Sequence, residues 1–485
     1  MTELYLVPAF GLPWLAFSVL VYALVFHPSR ERGSLPLAVA FGFPLSALAM
    51  TATLVMIDAA GYPLSIVPGL LLSLLVAAGA VVRLLLAGRN PESAAPAVSR
   101  VPAGRWYALL AGLLLMLLAM RFGSLIHEVV RLPTYPWDAW TTWIYRALLW
   151  FEQGELVEFV APAAQPHLQP PDTWQLAAWH YPAFVSLAAT WGLLATGVKS
   201  DLAVGLPWLL CWVALLAGVY GTAVRLSGSW VAGVAVAYVL GSLPMLSTHA
   251  ALAGYADLWI TVILGLAVMG ALLWIHTGQH RLAWVVLPAA LALPFVKLEG
   301  MLWFLCLLPL AVVWVVSGRW LMVAALMGVA VLAWVSLGFN LYLPLPMDPG
   351  AIGLRDGLLH VPLVGTFAWE VMPGAWRPLV HNMFALANWH LLWFVAAIAL
   401  IAGVYLGRHD RLIRATSAVL IPAVAVFYVM FFYSEAGAWS ADFTATNRLL
   451  LHWSAVFVVH TWLVIEYMRN RTDLSARLGH AGVST

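Results

Sequence analysis

Apolar runs of membrane-crossing length recur along almost the whole of this chain, and that repetition constrains its fold more than any motif. A bilayer core takes roughly 20 consecutive apolar residues per helical crossing, because only a helix satisfies its backbone hydrogen bonds internally where water is absent. Reading the runs between polar breaks predicts spans near 5–26, 35–57, 64–87, 106–122, 203–222, 229–247, 255–275, 282–296, 301–317, 320–342, 388–407, 412–433 and 449–467. With 63% hydrophobic and 9% charged residues, the sequence excludes a soluble domain of ordinary composition. The expected fold class is an all-α polytopic membrane protein with about thirteen transmembrane helices. A net charge of +2 leaves no electrostatic footprint for nucleic acid. Cys211 and Cys306 lie inside apolar runs and are expected as buried, unpaired thiols. The run Tyr5–Phe26 has no basic n-region or cleavage site and is expected to remain as a membrane helix.

Charge position then sets the expected orientation. Arg30, Arg32, Arg83, Arg89, Arg100, Arg105, Arg225, Arg281, Arg319, Arg408, Arg411, Arg414, Arg469, Arg471 and Arg477 all fall in loops that alternate spans assign to one side, the cytoplasm by the positive-inside rule. This puts the N-terminus outside and the C-terminus inside. It requires that Tyr181–Val198, though apolar, does not cross; Trp191 and Lys199 suit a helix lying at the outer interface. Two long stretches, 123–202 and 343–387, become extracytoplasmic, and loops on a rigid scaffold are where chemistry is to be sought.

The candidate residues lie at that face. Trp137-Asp138-Ala139-Trp140 sets an acid among aromatics, and partial desolvation would make Asp138 a general base for a hydroxyl. The plainer alternative is an interfacial aromatic belt with Asp138 as a helix cap. His180-Tyr181-Pro182, Tyr255-Ala256-Asp257-Leu258 and Lys297-Leu298-Glu299-Gly300 follow. Lys297 suits a lipid-linked phosphate with Glu299 steadying it or touching a sugar, against a simple ion pair; Asp257 is a second acid or a cap. Arg448, in Thr444-Ala445-Thr446-Asn447-Arg448-Leu449-Leu450, binds phosphate or snorkels to headgroups.

In their order, these motifs resemble those of bacterial membrane glycosyltransferases of the GT-C superfamily, in the protein mannosyltransferase and aminoarabinose transferase branch (glycosyltransferase family 39-like), over residues 106–467. The resemblance implies a GT-C-like fold with extracytoplasmic juxtamembrane helices, and inverting sugar transfer from a polyprenyl-phosphate donor to a lipid, glycan or protein acceptor at the outer face of the inner membrane. It implies Asp138 as the catalytic base and Asp257 as a second acid of the catalytic site, with Lys297 or Arg448 near the donor phosphate. The residues expected to bind substrate are Lys297, Glu299, Arg448, Trp137, Trp140, His180, Tyr181 and Tyr255. Residues 1–105 then read as an additional N-terminal three-helix module and 106–485 as the glycosyltransferase core. The chain departs from the pattern in placing three spans before the Asp138 loop.

Other functions stay open at this point. A lipid-linked sugar transporter or flippase would line a path near the midplane with polar groups. A noncatalytic envelope-assembly subunit would use the aromatic loops for docking. A divalent-metal enzyme would draw on His127, Glu128, His167, His180 and His249, which lack a metal-ligand spacing. No Walker-type loop or dinucleotide fingerprint is present, so no nucleotide cofactor is expected.

Overall fold

A computed structural model describes residues 2–27, 31–87, 104–162, 173–313, 318–337, 340–344, 351–361, 365–434, 436–441, 443 and 445–481. The protein is mostly helical and multi-pass. Among the described residues, eight helices are long and apolar enough to cross a membrane, or nine if one bent pair counts as a single span. His167, Thr444 and the arginines Arg30, Arg89 and Arg100 lie outside the described residues.

The chain divides into two compact units. The first comprises Met1–Leu273 and Gln279–Gly300, and so includes the first three helices. Its helices are α1 (Leu6–Val21, continued as a π-helical turn to Phe26), α2 (Ser34–Ala59), α3 (Val67–Leu86), α4 (Arg105–Arg131), α5 (Ile144–Gln153), α6 (Phe184–Thr196), α7 (Asp201–Ser227), α8 (Trp230–Gly241), α9 (Pro244–Ala251), α10 (Asp257–Thr277) and α11 (Ala283–Val296). A helix α12 (Glu299–Leu307) begins in this unit. Two short strands, β1 (Phe159–Val160) and β2 (Trp174–Gln175), pair in parallel between α5 and α6.

The ends of this unit differ in chemistry. At one end Arg225 pairs with Glu31 at 3.1 Å and donates to Ser34 Oγ, and the turn at 280–282 lies beside Tyr22–Phe26. At the other, Asp58 accepts from Leu156 N at 2.8 Å, and the start of α10 meets the end of α11 through Asp257 and Lys297. The basic loops around residues 31, 225 and 281 therefore gather opposite the acid-bearing turns, as alternating spans require.

The helix α6 is too short to cross, in keeping with its expected place between crossings, but its expected interfacial location needs correction. Trp191 is fully buried, donates to Ala9 O at 3.0 Å and lies against Gly69. Eleven of the 13 residues of α6 are buried, Ser186 and Thr190 among them, so the helix has no solvated polar face of the kind a helix in the headgroups presents. The helix is protein interior.

The second unit comprises Trp274–Gly278 and Met301–Thr485, with helices α13 (Pro309–Val313), α14 (Gly318–Ser336), α15 (Trp376–Val380), α16 (Leu392–Leu406), α17 (Arg411–Phe432), α18 (Ala436–Trp439) and α19 (Ala445–Ala481). Here α16, α17 and α19 are tied by His460, which meets Thr416 Oγ1 at 2.6 Å and Ala399 O at 3.2 Å. The 343–387 stretch contains an antiparallel meander, β3 (Leu341–Pro344), β4 (Ala351–Arg355), β5 (Leu358–Val361) and β6 (Gly365–Ala368), which the hydropathy reading did not anticipate. Its central turn is Asp356-Gly357 with φ of +52° and +75°, the left-handed pair of a two-residue hairpin.

Close packing of α6 on α7 yields a prediction. A Cβ on Gly192 would stand 2.2 Å from Ala203 O and 3.0 Å from Ala203 C, both backbone atoms. Gly192→Ala is expected to destabilise the protein by about 1–3 kcal/mol through overpacking, read as a lower thermal midpoint in detergent, while Gly197→Asn at the C-terminus of α6, with open space around it, shifts the midpoint less.

Candidate functional site

The site is assembled from four turns of the first unit. After α4, Pro133 and Pro136 keep the chain extended until a helix restarts at Trp137, passes through a π-helical turn at Ala139–Trp143 and continues as α5. Thr134 N donates to Asp201 Oδ1 at 2.8 Å, and Trp140 Nε1 donates to Thr134 O at 2.7 Å, so the loop is pinned to the start of α7. Asp138 makes no capping hydrogen bond to this helix. Its simplest alternative role is thereby weakened.

The second turn is Gly254-Tyr255-Ala256, which leads into α10. Gly254 has φ +113° and lies so close to the first turn that a Cβ there would stand 2.3 Å from Ala139 Cβ. A side chain fits neither the dihedral nor the space. Trp208 Nε1 donates to Tyr255 O at 2.7 Å. Asp257, the first residue of α10, is fully buried, and its Oδ1 accepts from Lys297 Nζ at 2.9 Å.

The third turn carries that lysine. Pro294 prepares the end of α11, Lys297 takes an extended backbone (φ −157°, ψ 154°), and α12 restarts at Glu299. Lys297 is itself buried and also pairs with Glu299 Oε1 at 3.1 Å. Gly300 is required because a Cβ would stand 1.9 Å from Leu293 O. One ammonium thus answers two carboxylates, and with Asp138 nearby the acids outnumber the lysine.

The fourth turn, 178–182, brings Tyr181. Arg146, buried on α5, spends its guanidinium on the carbonyls of Ala178, Trp179, Tyr181 and Pro182, and lies over the Phe159 ring. Burial without a carboxylate partner lowers its pKa to about 10. Trp143 meets Tyr181 edge-on at 5.4 Å. The Tyr181 phenol is pushed up to about 12, first by burial, then by the charge of Glu299, with Asp257 and Asp138 adding to the rise and Lys297 opposing it. Four expected site residues therefore bear on the Tyr181 phenol: Asp138, Asp257, Lys297 and Glu299. At neutral pH the phenol is a hydrogen-bond donor, not a phenolate.

The remaining expected residues fall in several places. Trp137 and Trp140 are 77% and 67% exposed. His180 is exposed, with its ring 5.1 Å from that of Tyr181. Tyr255 is half-buried, its ring 5.2 Å from His249. Arg448 belongs to the second unit, half-buried in the first turn of α19. Among the described residues no three His, Cys, Asp or Glu side chains stand close enough to share a metal ion.

Two contributors escaped the sequence reading. Arg146 falls on the buried face of α5 with Trp143, Ala147 and Trp150, and a charge on the apolar stripe of an amphipathic helix is the signal that marks it. Beneath the site, Trp259 stacks on Phe43 of α2 at 5.4 Å and meets Phe184 and Trp208 edge-on. These rings link α2, α6, α7 and α10, and no periodicity reports such a contact. No protein-family model, curated protein or solved structure matches this chain.

The convergence is testable without any assay of activity. In the difference between wild type and Tyr181→Phe, phenolate absorbance is expected near pH 12 and not near 10. Glu299→Gln should move that ionisation down and Lys297→Met should move it up, because the first removes a negative neighbour and the second a positive one. An ionisation indifferent to both changes would separate Tyr181 from the triad. The interlock of the first two turns gives a further expectation: Gly254→Ala should cost about 1–3 kcal/mol of stability and displace Asp138, whereas Gly278→Ala, also at positive φ but with open space, isolates the dihedral cost alone.

Proposed function

We propose that this chain is a polyprenyl-phosphate-sugar-dependent glycosyltransferase that inverts at the anomeric carbon, on a lipid, glycan or protein acceptor, at the outer face of a bacterial inner membrane. In this reading about thirteen helices cross, with the N-terminus outside and the C-terminus in the cytoplasm. The observation that carries it is the ammonium of Lys297 between the carboxylates of Asp257 and Glu299, with Gly254, just before Asp257, packed against Ala139, the neighbour of Asp138. These residues are far apart in the chain and come from three different turns at one end of the helices. That is an arrangement for handling a reacting centre.

Asp138 takes the proton of the acceptor hydroxyl as its oxygen attacks the anomeric carbon. The bond from that carbon to the phosphate oxygen breaks on the opposite face, and the electron pair leaves with the polyprenyl phosphate. Positive charge develops on the sugar ring, and a cluster with acids in excess of its lysine favours it. Lys297 holds Asp257 and Glu299 in register, and the neutral Tyr181 phenol donates to a sugar oxygen. Trp137 and Trp140 offer exposed aromatic faces for the substrate. A transport reading draws on the 69° break between α8 and α9, since interrupted helices mark substrate paths in transporters.

Asparagine keeps the size and cap chemistry of aspartate but cannot accept the proton. Asp138→Asn should therefore lower sugar transfer from polyprenyl-phosphate donors by roughly 10²–10⁴-fold, with folding and donor binding retained. Near-normal transfer by Asp138→Asn removes the base from the mechanism. Transport of the lipid-linked sugar by that variant at wild-type rate, with no transfer by either protein, favours the second reading.

A further inference from the structure

The helix α4 leads into the Asp138 turn and packs one narrow stripe against the protein: Leu118 against Gly241, Phe122 stacked on Trp212 at 5.9 Å, and Leu125 and Val129 buried. The rest of its apolar surface is open, with Met116 and Met120 53% and 65% exposed. Arg121 occupies a position in the packed stripe, where a leucine is the ordinary residue. Its Nε donates to Ser247 Oγ at 2.9 Å, and Ser247 is fully buried just past the 69° break between α8 and α9. Among the described residues no carboxylate forms an ion pair with Arg121. Three other cations of this end are engaged: Lys297 with two carboxylates, Arg146 with backbone carbonyls, and Lys199 with Glu152. A cation in the stripe of a lipid-facing helix is costly unless an anion meets it.

We propose that Arg121, oriented by Ser247 at the break between α8 and α9, binds the phosphate of a membrane lipid at the open side of α4. The bond through Nε fixes the guanidinium plane, and the planar fork of its terminal nitrogens is the geometry that takes phosphate in a bidentate manner. The location suits a lipid and not a soluble anion, because the α4 side chains before it, Leu117, Leu118 and Met120, are apolar, while Ser124 and Glu128, one and two turns on and hydrogen-bonded to each other at 3.0 Å, mark the polar end of the helix. Arg121 lies ten residues before the end of α4, roughly 15 Å along the axis, within the apolar part of the helix and near its polar end. The phosphodiester of a bilayer phospholipid and the phosphate of a polyprenyl monophosphate share the required chemistry. The assignment does not depend on sugar transfer.

Native mass spectrometry of the intact protein, titrated with phosphatidylglycerol, polyprenyl monophosphate and diacylglycerol, tests this. Arg121→Gln is expected to weaken one or both phosphate lipids by at least about tenfold and to leave diacylglycerol unchanged. Weakening confined to phosphatidylglycerol identifies a bilayer lipid, and weakening confined to polyprenyl monophosphate identifies the isoprenoid. Should Arg121→Gln not fold, Arg121→Lys carries the test: it keeps the charge but gives up the fork and the bond to Ser247, so a drop of about threefold or more is expected. Unchanged affinity for both phosphate lipids in a folded variant overturns the proposal. So does equal loss of diacylglycerol, which would mark an acyl-chain groove.

Discussion

The ammonium of Lys297 between the carboxylates of Asp257 and Glu299 is the interaction on which the first unit depends. Removing charges from water is costly, and a buried lysine answering two acids is tolerable only when both contacts are short and held. Each support has a local cause. Asp257 is fixed as the first residue of α10, and Lys297 by the extended break after α11. Glu299 is fixed by the restart of α12 over Gly300, where nothing larger than hydrogen fits against Leu293 O. Deleting any one charge strands the others, which typically costs about 3–5 kcal/mol for a buried pair. The triad is thus a structural constraint and a chemical resource at once.

Much of this was legible in the sequence, for a physical reason. Spans announce themselves through length and hydropathy, and alternating them sends Asp138, Tyr181, Asp257, Lys297 and Glu299 to one end before any contact is known. In the fold, Lys297 meets Asp257 and Glu299 directly, and the charges at 138, 257, 297 and 299 bear on the Tyr181 phenol. What alternation does not supply is distance, so the engagement of Lys297 by both acids had to come from the fold. Glu299 and Lys297 were readable as a pair from their spacing; Asp257, forty residues upstream of Lys297, was not.

The misreadings also have particular causes. Hydropathy cannot separate a helix buried in protein from one lying in headgroups, and α6 with Trp191 is apolar enough for either. The β-meander was hidden because a membrane-scale reading passes over four- and five-residue strands, although Asp356-Gly357 between short apolar runs is a strong hairpin signal. The role of Arg146 was hidden because its partners are backbone carbonyls of 178–182, more than thirty residues on, which no local pattern brings to it. Aromatic stacking of Phe43 on Trp259 joins segments more than two hundred residues apart, beyond the reach of any local pattern.

That stack, together with the bond from Trp191 to Ala9 and the pairing of Glu31 with Arg225, bears on how the protein is made. The first three helices leave the ribosome well before residues 191, 225 and 259 exist. They are long and apolar enough to cross a bilayer, and Glu31 sits in the turn between α1 and α2. Insertion of α1 to α3 is therefore separable in time from their locking into the unit. The contacts from α6, α7 and α10 that lock these three helices into the unit come from segments synthesised after the helices themselves.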